Sequence, residues 1–237
     1  MFLFAIDTET VVVWVLGAIV LAIVLAIVAA RDRKRKAAIG AVAAEIGFSN
    51  EGSKWSDAEQ SRDLVTALFG AGKVRTFRNI MTGESSGLGA AVFDYSYIIG
   101  GGSDAHSHVQ TCAAFLKRGA GLPTFALAPV GVMQKVGDAL GQKGIRFDAR
   151  PEFSQRYHLE ASDEAKTREL FKPPVLALLE GLDAQKKWRI EGAGQTLIVY
   201  KAGKKIKPAE IRAFLDETGA LASSLFSLVS TADSAKV

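Results

Sequence analysis

A chain of 237 residues is long enough for one soluble domain with a sizeable core plus an additional segment. It carries 29 basic and 25 acidic residues. Five of the basic ones and three of the acids fall in positions 1–36, so the rest is net +2, too near neutral to point to nucleic acid. One cysteine, Cys112, excludes an intrachain disulfide, and its apolar strand-like setting (QTCAAFL) reads as a buried, unreactive thiol.

The additional segment is N-terminal. Val11 to Ala30 reads VVVWVLGAIVLAIVLAIVAA, twenty residues without a charge. As a helix it is about 30 Å long, the thickness of a bilayer's hydrocarbon core, and it lacks the polar face of a surface helix. A cleaved signal peptide starts with a basic segment. Residues 1–10 instead hold Asp7 and Glu9 and no Lys or Arg. Val28 and Ala30 resemble a small-residue cleavage site, but an uncleaved transmembrane helix over 11–30 is the better reading.

RDRKRK at 31–36 sets Arg31, Arg33, Lys34, Arg35 and Lys36 against one acid, Asp32. The positive-inside rule then places the short 1–10 segment outside and the C-terminal domain in the cytoplasm. The same five side chains are expected at the membrane surface, where each basic group near anionic headgroups is worth about 1 kcal/mol. Topology alone already accounts for such a cluster.

Residues 33–47 continue as a helix, with alanines for propensity and Ile39, Val42 and Ile46 as an apolar stripe ending at Gly47. The juxtamembrane helix is therefore bounded at 31–48. A polar loop, SNEGSK, follows. Ser56-x-x-Glu59 resembles a capping box for a helix over 58–69, with Leu64, Val65, Leu68 and Phe69 inward and GAG at 70–72 ending it. Then KVRTFRNIM, LGAAVFDYSYII, SHVQTCAAFLKR and TFALAP read as strands joined by short glycine-bearing turns, which favours antiparallel pairing. Phe93, Tyr95, Tyr97 and Ile99 alternate with Asp94 and Ser96, the period of a sheet with one buried face.

Further on, 130–140 suggests a short helix, RYHLEA a strand, and 162–171 a helix capped by Ser162. Pro173 and Pro174 open another helix, VLALLEGL. KKWRIEG and QTLIVYK form a hairpin across Gly192–Gly194. A last helix from near Pro208 aligns Ile211, Phe214, Leu215, Thr218, Leu221 or Ala222, and Leu225. The soluble domain spans 49–225, and 226–237 is expected to be a flexible tail. The class is α+β: a transmembrane helix, then a mostly antiparallel sheet packed with several helices.

The densest polar cluster is GGGSDAHSH, 100–108. It lacks the third glycine and the following helix of a dinucleotide fingerprint, and no Walker lysine follows. Asp104, His106 and His108 share strand parity, and so one face, as ligands of one zinc ion should. They sit at the tip of a glycine-rich hairpin, however, whereas a catalytic zinc needs three rigidly held ligands. His158 joins them only through a long-range meeting that spacing does not show. An exposed turn entering a strand is the expected reading. Gly83-Glu84-Ser85-Ser86-Gly87 matches the G-x-S-x-G of hydrolases, but strands on both sides make it a hairpin turn and not a nucleophile elbow. Asp94 has no identifiable partner and is expected to face solvent. The aromatics of FDYSY lack the basic flanks of a base-stacking surface and are expected in the core. No cofactor motif appears.

Several stretches together resemble an uncharacterised bacterial family of N-terminally anchored single-pass membrane proteins. They are the basic helix ending in Gly47-Phe48, FDYSY, Gln110-Thr111, LPTFALAP, PEFSQRYHLEA, LF-x-PPVLALLEGL and the terminal hairpin and helix. The resemblance covers nearly all of the soluble part and implies a cytosolic α+β domain tethered to the inner membrane. It carries no activity, so no functional residue transfers with it. The expected role is an interaction or scaffold module at the membrane, with a protein partner and anionic headgroups near 31–36. The alternatives are a membrane-anchored metal-dependent hydrolase using Asp104, His106 and His108, and an anionic-lipid sensor.

Overall fold

A computed structural model describes residues 8–53, 66–130 and 144–234. The first element, α1 (Thr8–Glu45), is one unbroken helix of 38 residues, about 57 Å long. Its apolar N-terminal stretch is long and apolar enough to cross a membrane, and none of that stretch is buried within the chain. Trp14, for example, is 74% exposed. Below the basic cluster the character changes: Ile39 and Ala43 are buried, with Val42 and Ile46 packed beside them. Gly47, at φ +75°, ends the helix as only glycine readily does, and Phe48 turns into the core.

Among the described residues, eight strands form one antiparallel sheet in the order β1-β2-β3-β4-β8-β7-β5-β6. They are β1 (Ser49–Gly52), β2 (Lys73–Ser85), β3 (Leu88–Ile99), β4 (His106–Leu116), β5 (Leu122–Pro129), β6 (Tyr157–Ala161), β7 (Arg189–Gly194) and β8 (Thr196–Tyr200). Meander pairing runs from β1 to β4. The β7–β8 hairpin then inserts between β4 and β5, although it lies some 60 residues further along the chain.

The helices are α2 (Ala67–Gly70), α3 (Pro151–Arg156), α4 (Glu164–Leu170), α5 (Pro173–Glu180) and α6 (Ile211–Ser234). One side of the sheet packs against the lower half of α1 and against α3 to α6, around Met81, Val92, Phe115, Phe125, Leu197 and Phe226. On the other side Phe77, Phe93, Tyr95, Tyr97, Cys112 and Tyr200 pack with Leu68 and Ala71 of the α2 segment. The centre of the sheet is thus buried on both faces, not one. Phe93 and Tyr95 serve one core while Val92 and Asp94, on alternate positions, serve the other.

The expected strands all form, as do the α5 and β7–β8 readings, and the apolar side of α6 is buried as aligned. Three details differ. Asp163, not Ser162, caps α4, its Oδ1 accepting from the Lys166 amide at 3.0 Å. The polar loop after α1 supplies an edge strand, β1, because its backbone pairs with the bulged part of β2. The last helix runs on to Ser234 with Phe226 fully buried, where a tail from 226 was expected. The rest of the expected 58–69 helix, and the 130–140 helix beyond Val130, lie outside the described residues.

Candidate functional site

Helical spacing puts Arg35 in line with Ile39 and Ala43, four and eight residues on, so its guanidinium is aimed at the sheet. Its Nε donates to Asp94 Oδ2 and its Nη2 to Asp94 Oδ1, both at 2.7 Å. This is the bidentate fork to which a planar guanidinium is suited. Nη1 donates to the Ile206 carbonyl at 2.9 Å, and Nη2 also reaches Thr111 Oγ1 at 3.3 Å. The side chains of Arg35 and Asp94 are 15% and 4% exposed.

Asp94 sits on β3 and collects donors from three further elements. Thr111 Oγ1 on β4 donates at 2.7 Å, and Asn79 Nδ2 on β2 donates at 2.9 Å. The ammonium of Lys205, in the β8–α6 connection, lies 3.9 Å away. The Thr111 hydroxyl gives its one proton to Asp94 and accepts from the Ile206 amide at 3.0 Å. Asn79 reaches Asp94 because β2 bulges between Arg78 and Met81, with Asn79 at φ +52°, a conformation that Asn tolerates better than most residues. Next to it Arg78 pairs with Asp32 of α1 at 3.5 Å, in solvent.

Burial alone would raise the Asp94 pKa. The hydrogen bonds from Arg35, Thr111 and Asn79, with the charge of Arg35, outweigh it and hold the carboxyl below its ordinary range. An ionised carboxylate surrounded by donors in this way is suited to holding elements together, not to moving protons. Asp94 is therefore buried and partnered, and the solvent-facing expectation fails because α1 occupies that side of β3. One signal was legible beforehand: Arg35 is a cation on the apolar stripe of its own helix.

A second buried polar group lies on the opposite side of the sheet. Glu191 on β7 accepts from the Tyr200 hydroxyl at 2.5 Å and from the Leu68 amide at 2.7 Å. Burial raises the Glu191 pKa against the pull of these bonds, and burial likewise raises that of Tyr200. The pair fastens the α2 segment onto the sheet.

Arg31, Arg33, Lys34 and Lys36 are exposed, whereas Arg35 is turned inward. Asp104 closes the 3-10 turn Gly102–Asp104, and His106 and His108 open β4 opposite Ile99 and Tyr97. The His108 ring stacks on Tyr97, with centroids 5.1 Å apart. His158 is on β6 at the far edge of the sheet, bonded to Glu160 at 3.1 Å. Among the described residues no group of three or more His, Cys, Asp or Glu is placed to hold a metal.

Ser85 ends β2 and enters a tight turn through Ser86 and Gly87, at φ +54° and +73°, into β3. No strand-to-helix elbow exists there. Cys112 is fully buried, and burial together with the nearby Glu191 and Asp94 carboxylates pushes its thiol pKa up. An open depression of about 440 Å³ is lined by Arg156, Tyr157, Asp183, Lys187 and Trp188, among others. The Arg156 guanidinium there is bonded to the carbonyls of Glu180 and Leu182, tying α3 to the end of α5.

No protein-family model and no curated protein matches the chain. Among solved structures it is similar to the mycobacterial trehalose monomycolate transport factor A, TtfA, at 13% identity and a TM-score of 0.55. The match covers 83% of this chain and 97% of that one. At this identity the likeness is one of fold.

Proposed function

We propose that this chain is a single-pass membrane protein. In this reading its N-terminus lies outside, and its α+β domain is held in the cytoplasm as an interaction module serving a transport process at the inner membrane. One observation carries the reading. The apolar stretch of α1, wholly uncovered by the chain, continues without a break into a helix that the Arg35–Asp94 fork fastens to the sheet. The basic cluster after Ala30 supports the orientation, and the fold likeness to a protein named as a transport factor supports an accessory role in transport. Tethering raises the local concentration of the domain for a membrane partner and requires no chemistry of its own.

Carbonate-washed membranes should retain the full chain, and a C-terminal reporter active only outside the cytoplasm should stay silent. Crosslinking in intact membranes, followed by solubilisation, should return a reproducible protein partner. Release by carbonate, an active reporter, or repeated recovery of no partner would each count against the reading.

A further inference from the structure

Two basic stretches far apart in sequence meet beside Arg35, five residues past the apolar stretch of α1. RDRKRK at 31–36 is net +4. KAGKKIK at 201–207 contains Lys201, Lys204, Lys205 and Lys207 and no acid, and is also net +4. The whole chain is only +4, so everything else is net −4. The Arg35 guanidinium donates to the Ile206 carbonyl at 2.9 Å, and the Lys205 ammonium lies 3.9 Å from the same Asp94 oxygen that takes Arg35 Nε. The Thr111 amide holds the Lys204 carbonyl at 3.0 Å, and the Gly203 amide bonds Gln110 at 3.2 Å, so β4 fixes the path of the loop.

Among the described residues, three acids at this place are already paired: Asp94 with Arg35, Asp32 with Arg78, and Glu210 with Lys207 at 3.6 Å. Lys204, Lys205 and Lys207 nevertheless stay exposed. The apolar stretch ends at Ala30, and Arg35 lies about 7.5 Å further along the helix axis. That is within about one Debye length (~8 Å) at physiological salt.

We propose that Lys204, Lys205 and Lys207 join Arg31, Arg33, Lys34 and Lys36 in one cationic collar that binds the anionic phospholipid headgroups around α1. The collar rests on the anchoring reading above and extends it. A terminal tether leaves a domain free to swing, whereas a second contact from a loop 171 residues away along the chain holds one end of the sheet against the bilayer. Charge sign and position favour lipid over other polyanions, because both basic stretches meet within two helical turns of the end of the apolar stretch.

The test uses the full chain in nanodiscs of phosphatidylcholine alone or with 30% phosphatidylglycerol. A spin label is placed by Ala202→Cys, with Cys112 buried and unlabelled. Collision with a lipid-soluble and a water-soluble relaxant reads the depth of the label. We expect the label to move toward the bilayer in the anionic discs and to return in 0.5 M NaCl. The shift should be lost in the Lys204→Gln/Lys205→Gln/Lys207→Gln chain, which should still occupy discs fully.

An identical depth in both discs, or a shift unaffected by the triple substitution, overturns the collar while leaving the anchor intact. Failure of the wild-type chain to enter discs is the separate failure of the anchoring reading. Displacement of the label by polyglutamate in lipid-neutral discs, with no response to phosphatidylglycerol, assigns the surface to an acidic protein segment and also overturns the proposal.

Discussion

Arg35 on α1 and Asp94 on β3, 59 residues apart, meet through two parallel hydrogen bonds of 2.7 Å. The pair joins the helix bearing the apolar stretch to the third strand of the sheet, and through Thr111 and the Ile206 backbone to β4 and the β8–α6 connection. The helix bearing the apolar stretch and the folded domain are thereby connected through a buried ionic contact as well as through the chain.

Removing Asp94 takes away the ionic partner of Arg35 and the acceptor of both Thr111 and Asn79. Asp94→Ala is expected to destabilise the domain by about 3–5 kcal/mol. Arg35→Ala should cost less, because Asp94 keeps its bonds from Thr111 and Asn79. The double change Arg35→Met/Asp94→Leu should recover much of the loss, since apolar packing often replaces a buried pair at little cost. Urea unfolding of the detergent-solubilised chain reads all three. Asp94→Ala unfolding at the wild-type midpoint would refute the joint.

The pH dependence of this contact follows from its sign. The Asp94 pKa is lowered by folding, so its contribution is fully present above the unfolded value of about 3.9 and is lost as pH falls through the lower folded value. Between pH 7 and 5 the contact should contribute a constant amount. Acid unfolding should steepen only below about pH 4, and Asp94→Asn should remove that steepening. A wild-type chain whose Asp94-dependent stability declined already at pH 6 would contradict the sign.

Glu191 behaves in the opposite sense. Burial raises its folded pKa, so the stability it contributes is greatest below about pH 4.3 and declines as pH rises through the folded value. Glu191→Ala leaves the Leu68 amide and the Tyr200 hydroxyl without their acceptor, at about 1–3 kcal/mol for each buried group so orphaned. Native-state hydrogen exchange should show the Leu68 amide losing protection selectively. Unchanged exchange there would mean that α2 is held by apolar contacts alone.

Cys112 is fully buried and its thiol pKa is pushed up, so the thiolate that maleimide needs is scarce and out of reach. Labelling of the native chain should be slow and should accelerate on unfolding with the same urea midpoint as the far-ultraviolet signal. Rapid labelling of the folded chain would show that the strand bearing Cys112 opens locally.

Gly192 on β7 lies directly under the ring of Phe125 from β5, so that a methyl group there would overlap the ring. Phe125 is itself fully buried and cannot swing aside cheaply. Gly192→Ala is expected to cost about 1–3 kcal/mol, as over-packing of a filled core does. Thermal unfolding checks it, with Gly194→Ala as a partner variant at a turn glycine of φ +59°, where backbone strain replaces overlap. An unchanged midpoint for Gly192→Ala would mean that the sheet gives way at this crossing.

Local patterns in the sequence determined a good deal. Twenty uncharged residues followed by RDRKRK announce a long helix whatever the rest does, because helix formation and membrane compatibility are properties of neighbouring residues. The turns at Ser86–Gly87 and Gly194, and the strand runs between them, were legible because alternation and positive-φ preference act over a few positions. What only the tertiary structure decided is which strands meet and what the polar residues do. Nothing within β4 or β5 says that β7 and β8 will part them, since that order depends on contacts closed across some 60 residues. Asp94 read as a solvent-facing side chain because its alternation with Phe93 and Tyr95 is all that a strand displays locally. Its burial comes from α1 lying on the other face, and its charge is tolerable there only because Arg35, Thr111 and Asn79 converge on it from three separate elements. The same long-range closure set KAGKKIK beside RDRKRK, which no local pattern in either stretch records.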